Sequence, residues 1–336
     1  MQLKNSLIKA GHQVTIFSIA GLGTCPIEGT ERLFLKKKNN EVFENLAMYD
    51  IIHLTSVSEN TKNEPRFLEL SKQLKFYVTI HSCIKDLYGA NGWEKIAANA
   101  KGIIFTSQSN KEWFIKNYPQ LVREDNSYVV EMPYVPENRI AEFEKEQMAI
   151  CTSRFVSYKK IREFLLMAKE LPDINFVSLS IIKTGNNYVN GMMTKSYFDN
   201  IIKKTEGLKN VQIVNYPDGN KPEKEVKCEY LKRARYLVDL SSFEIDRDRV
   251  QYTTLEAMDF GCVPIFHQDF FGNTLKHLKN GFAIKDSATA VIAIRYLEEN
   301  PLVRQMIVNN NFQFLKEHYG EQNTQKYLEI YQKQSP

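Results

Sequence analysis

YTTLEAMDFGCVPIF, residues 252–266, reads as a short helix with Glu256 in mid-face, a stop at Gly261 and an apolar strand from about Val263. A helix that enters a strand through a glycine is half of an α/β unit. The same alternation runs outward in both directions. Strand-like runs stand at VTIFSI (14–19), IIHLTS (51–56), YVTIHS (77–82), GIIFTS (102–107) and YVVEMP (128–133). A second series follows at AICTSR (149–154), FVSLSI (176–181), VQIVNY (211–216), YLVDLS (236–241) and VPIFHQ (263–268). Amphipathic runs between them, such as IREFLLMAKEL and EYLKRARYL, are long enough to cross back over a parallel sheet. Two such series predict α/β architecture with two doubly wound, Rossmann-like domains. The apolar signal lapses at PENRIAEFEKEQ (136–147), which places the domains at 1–146 and 147–316. The stretch from Glu317 is helical without a further strand and is expected to pack back on the first domain.

The chain opens with LKNSLIKAGHQVTIF, a helix, a glycine stop and then a strand. A doubly wound domain opens with a strand and a glycine-rich turn, so the first domain is expected to lack that strand. At 336 residues the chain fits two domains of about 150 residues. Its 43% hydrophobic and 25% charged residues are those of a globular protein, and no apolar run reaches the roughly 20 residues that span a bilayer. The expectation is a soluble, cytoplasmic protein. Five scattered cysteines argue against a disulfide framework or a zinc site. The net charge of +4 is spread along the chain, mildly favourable to a polyanion.

Ligands of open α/β sheets collect at the carboxyl ends of strands. Arg154 and Lys159 leave such an end beside a helix N-terminus, where a guanidinium and an ammonium could neutralise a diphosphate without a metal, or stand as solvated cations. Asp248 and Glu256, separated by seven residues, could face one crevice and accept hydrogen bonds from sugar or ribose hydroxyls; Asp248 is equally placed to cap the helix or pair with Arg247 or Arg249. The Asp246-Arg247-Asp248 pattern is opposed to a cation by its arginines, so no metal is expected. His81 falls at a strand end, suited to an acid, a base or a structural hydrogen bond. Gly272 and Asn273 follow a strand, where backbone amides could approach a phosphate or form a plain turn. No Gly-x-Ser-x-Gly elbow, His-Glu-x-x-His pair or P-loop is present.

Taken in order, the Ser-Arg strand end with Lys159, then Asp248, Glu256 and Gly-Cys-Val-Pro-Ile, resembles the second domain of retaining glycosyltransferases of the GT-B fold, family 4. The first acid is Asp248 where that family carries a glutamate. YDIIHLTSVSENT (49–61), GIIFTSQSNKEWFIKNYPQ (102–120) and YTTLEAMDFGCVPIFHQDFFGN (252–273) are similar to the phage DNA α-glucosyltransferases that modify 5-hydroxymethylcytosine. The resemblance implies two domains facing a cleft and retaining transfer of glucose from a UDP-sugar to double-stranded DNA in the infected host's cytoplasm, with no cofactor or metal. It implies that Arg154 and Lys159 hold the donor diphosphate, Glu256 the ribose and Asp248 the transferred sugar. Gly272 and Asn273 would line the phosphates or the sugar, and His81 would lie at the reacting end. Lys36, Lys37 and Lys38 are the candidate DNA contacts. A same-fold transferase acting on a bacterial glycolipid or surface polysaccharide, or an inactive binding protein, are the competing expectations.

Overall fold

A computed structural model describes residues 2–14, 46, 48–54, 69, 71–80, 97–137, 144–153, 155, 157–180, 195–215, 223–241, 250–272 and 274–333. By its contacts the chain divides into two compact units, Met1–Val135 with Gly320–Pro336, and Pro136–Tyr319. The first crossing lies at Val135–Pro136, ahead of the expected break, because Glu137 N already donates to Asp259 Oδ2 of the second unit at 2.8 Å.

In the first unit β1 (Ile52–Leu54), β2 (Phe76–Ile80), β3 (Gly102–Phe105) and β4 (Ser127–Val129) form a parallel sheet in that order. β2 and β3 are buried along their whole length, which is why they read as continuous apolar runs. Gly102 is required by crowding: a Cβ there would stand 2.9 Å from ring carbons of both Tyr77 and Tyr128. α1 (Gln2–Lys9) precedes the sheet, and α2 (Gln108–Asn117) follows β3, started by Ser107, whose Oγ accepts from Asn110 N at 3.3 Å. α2 lays Phe114 against Phe105 in the core, their ring centroids 5.4 Å apart. Of VTIFSI (14–19), only Val14 is among the described residues.

The last helix, α9 (Glu321–Gln332), belongs to this unit, and its Tyr327, Ile330 and Tyr331 pack with Tyr77, Ile104 and Val130. His53 joins the contact, with Nδ1 2.6 Å from Tyr331 Oη and Nε2 2.6 Å from Thr79 Oγ1. Burial, with Tyr327 and Tyr77 alongside, pushes the Tyr331 phenol far above its ordinary range.

The second unit holds a parallel sheet of β5 (Glu146–Cys151), β6 (Asn175–Ser180), β7 (Val211–Asn215), β8 (Ala234–Asp239), β9 (Val263–His267) and β10 (Phe282–Ile284), in the order β10-β9-β8-β5-β6-β7. The intervening helices are α3 (Ile161–Leu166), α4 (Lys195–Thr205), α5 (Glu223–Arg233) and α6 (Tyr252–Asp259); α7 (Ser287–Glu299) and α8 (Pro301–His318) follow β10. Ala149, Phe164, Phe176, Tyr236, Ile265 and Ile294 share its buried core. The chain winds outward from β5 through β6 to β7, then returns to β8 and winds the other way through β9 to β10. The direction therefore reverses between β5 and β8. Two details depart from expectation. EYLKRARYL is not one helix, since α5 ends at Arg233 and β8 begins at Ala234 without a loop, and the three-residue β10 was not anticipated.

In the opening stretch, α6 starts at Tyr252, and Gly261 stops it at φ +75°, a left-handed conformation suited to glycine. Gly261 N donates to Met258 O and Cys262 N to Ala257 O, so the last helical carbonyls are satisfied as the chain turns into β9.

Candidate functional site in the second unit

The reversal between β5 and β8 defines where a ligand belongs, because loops leaving adjacent strands in opposite directions open a crevice at their carboxyl ends. Lys159 stands there. After β5 a single 3-10 turn, Ser157–Lys159, folds its side chain inward, so that Lys159 is 9% exposed and is not the solvated cation that the sequence allowed. Its Nζ lies 3.3 Å from Asp239 Oδ2, at the last residue of β8, and 3.3 Å from Ser241 Oγ. Asp239 is itself buried, and its Oδ1 accepts from Ser241 N at 2.9 Å and from the Ser241 hydroxyl. A carboxylate and an ammonium removed from water need each other. The field of the pair reaches Cys151, whose thiol is pushed to about 12 by burial first and by the Asp239 charge second. Ser180, ending β6, donates to Ser153 O at 2.5 Å and braces the neighbouring loop.

Glu256 lies one helix farther along. On α6 its neighbours Leu255, Ala257 and Met258 are fully buried, while the Glu256 side chain keeps 22% of its surface. Lys227 of α5 brings Nζ to 2.6 Å from Glu256 Oε2. The contact is a charge pair whose angles miss hydrogen-bond geometry. Oε2 is a buried atom with no hydrogen bond among the described residues. At the end of β9, His267 Nδ1 stands 3.1 Å from Asp269 Oδ2 and accepts from Asp269 N at 3.4 Å. Gly272 donates its amide to Leu275 O at 3.0 Å, so the donor expected to face phosphate serves a turn within its own loop.

The crevice thus holds Lys159 with Asp239 and Ser241, and Glu256 lies on α6, the helix that follows β8. Arg154, Asp248, His81, Asn273 and the lysines at 36–38 lie outside the described residues. Sequence reasoning passed over Asp239, Ser241 and Lys227. A signal existed for Asp239, the one acid in the apolar run YLVDLS and the last residue of its strand. For Lys227, on a strongly charged helix, there was none.

No protein-family model matches the chain, and no curated protein matches it. Solved structures do. An α-glucosyltransferase in complex with UDP and a 13-mer DNA containing a central A:G mismatch superposes over 98% of this chain and 93% of its own, at 14% identity and a TM-score of 0.69. A glycosyltransferase from Rickettsia africae ESF-5 gives 99% and 93%, 15% identity and a TM-score of 0.68. The fold is GT-B. A UDP complex of Staphylococcus aureus TarM matches at 17% identity and a TM-score of 0.59, over 78% of this chain and 51% of TarM, so the chain spans about half of that protein's length. In GT-B terms the second unit, with its reversal at β5 and β8, is the one that carries the crevice described here. Among the described residues, no helix is long and apolar enough to cross a membrane.

Proposed function

We propose that the chain is a retaining hexosyltransferase that takes glucose from a UDP-sugar and places it on hydroxymethylated bases of double-stranded DNA. One observation supports it first, a buried lysine held at the switch point of a GT-B second unit by the last residue of β8, the strand that the Glu256-bearing helix follows. UDP is present in the matched structures of both the DNA-bound α-glucosyltransferase and TarM. The DNA in the matched α-glucosyltransferase structure is the reason for taking DNA as the acceptor.

The chemistry follows from the charges. When the bond between the anomeric carbon and the diphosphate breaks, negative charge grows on the UDP oxygens. Lys159 and Arg154 offset it, and donors already fixed in place need no reorganisation as the charge appears. Asp239 and Ser241 keep the Lys159 ammonium at the strand ends rather than in solvent. Glu256 accepts the ribose hydroxyls, and Asp248 contacts the sugar. Gly272 and Asn273 line the loop below the phosphates, and His81 stands at the acceptor end. Transfer needs no cofactor beyond the donor and no metal in this reading, and activity in EDTA checks it. A base within a duplex must be flipped out to reach such a crevice.

Incubation with radiolabelled UDP-glucose and, separately, hydroxymethylated DNA, unmodified DNA and lipid acceptors tests the reading. Label on hydroxymethylated DNA alone is expected. Label on lipid alone would replace DNA by a glycolipid acceptor, and neither transfer nor donor hydrolysis would reduce the chain to a binding protein.

A further inference from the structure

Resting on the reading of Glu256 as the ribose ligand, we infer that Lys227 is a positioning residue for donor recognition, acting through Glu256. A carboxylate that is largely removed from water either gains a cation, takes up a proton or swings out to solvent. Lys227 supplies the cation. It comes from α5, the helix before β8, whereas Glu256 sits on α6, the helix after it, so the pair ties together the two helices that flank the crevice strand. Only 15% of the Lys227 side chain is exposed, which makes the contact a built one rather than a chance meeting of surface chains.

The geometry is selective in what it fixes. At 2.6 Å the ammonium pins the carboxylate by charge, yet its angles leave Oε2 without a hydrogen bond among the described residues. A buried carboxylate oxygen in that condition is short of a donor. A vicinal pair of sugar hydroxyls offers two donors to the two carboxylate oxygens. Lys227 therefore holds Glu256 aimed, and the ribose completes its hydrogen bonding. Lysine can do this because it acts as a point charge, where the arginine fork would occupy both oxygens.

The consequence is read in the ribose, not the phosphates. Titration calorimetry of UDP and 2′-deoxy-UDP against the wild type, Glu256→Gln, Lys227→Met and Lys227→Arg separates the roles. The wild type is expected to prefer UDP by about tenfold or more, the worth of one hydrogen bond to a charged group. Glu256→Gln and Lys227→Met should both lose most of that preference, and so should Lys227→Arg, whose fork takes the oxygens that the ribose needs. Lys227→Met that binds both ligands more weakly but keeps the full preference would make Lys227 a structural residue and overturn the inference, leaving Glu256's assignment intact. A wild type without any preference, or Glu256→Gln that keeps it, would overturn the ribose reading itself and the inference with it.

Discussion

Replacing Lys159 with methionine shortens the side chain by one atom and removes its charge, leaving Asp239 as a buried carboxylate held, among the described residues, by Ser241. At the 3.3 Å separation of Nζ and Oδ2, and with an effective dielectric constant of about 20, the lost attraction is about 5 kcal/mol. Part of it is offset because the lysine no longer has to be dehydrated, and removing one member of a buried pair costs about 3–5 kcal/mol in practice. The separation is long for a charge-assisted hydrogen bond, so the lower end, about 3 kcal/mol, is expected. For a unit of this size that is a fall in Tm of about 6–12 °C. Asp239→Asn should cost a similar amount, by stranding the ammonium. The double variant should be more stable than the sum of the two losses implies, since it strands no charge. Calorimetric melting of the three variants against wild type measures this coupling directly. Single variants that melt within a degree of wild type, or losses that simply add, would refute the buried pair.

Three other outcomes follow from particular contacts. Cys151, its thiol near 12, and the buried Cys262 should resist alkylation at pH 8 in the native fold while the half-exposed Cys228 is labelled, and peptide mapping that finds Cys151 labelled first would contradict its burial. Burial alone would raise the Glu298 carboxyl, but hydrogen bonds from Tyr236, Arg235 and Gln147 and the Arg235 charge hold it below its ordinary 4.5. Because the folded value is depressed, the stability it contributes is present above 4.5 and is lost as pH falls through the folded value, so Glu298→Gln should flatten the acid limb of stability against pH; an unchanged limb would remove Glu298 from that role. Gly102→Ala forces a methyl to 2.9 Å from the rings of Tyr77 and Tyr128 and should lower stability by about 1–3 kcal/mol in urea unfolding, whereas a neutral substitution would mean that the rings yield freely.

The sheet strands were legible because burial on both faces writes itself into the sequence as short apolar runs, as at FVSLSI and VPIFHQ. β10 escaped because three residues, Phe282 to Ile284, carry too little pattern, and are held by pairing with Ile265 to His267. The end of α5 was misplaced because Leu231 continues the apolar spacing into β8, and only the sheet decides where the helix stops. Lys159 was legible as a cation after a strand. Its burial was not, since that depends on Asp239, a partner eighty positions away that β8 brings alongside β5. Lys227 and Glu256 likewise meet only because two helices flank one strand, a relation that no local spacing encodes.

The central claim is sugar transfer from a UDP donor by the crevice at β5 and β8, and the most direct measurement is transfer of label from UDP-glucose to hydroxymethylated DNA by wild type and Lys159→Met in parallel. The account predicts acid-stable label on hydroxymethylated DNA with wild type, none on unmodified DNA, and a loss of about a hundredfold or more in rate with Lys159→Met under conditions where it is folded. Equal transfer by the two proteins, or no release of UDP by wild type with any acceptor, would contradict it.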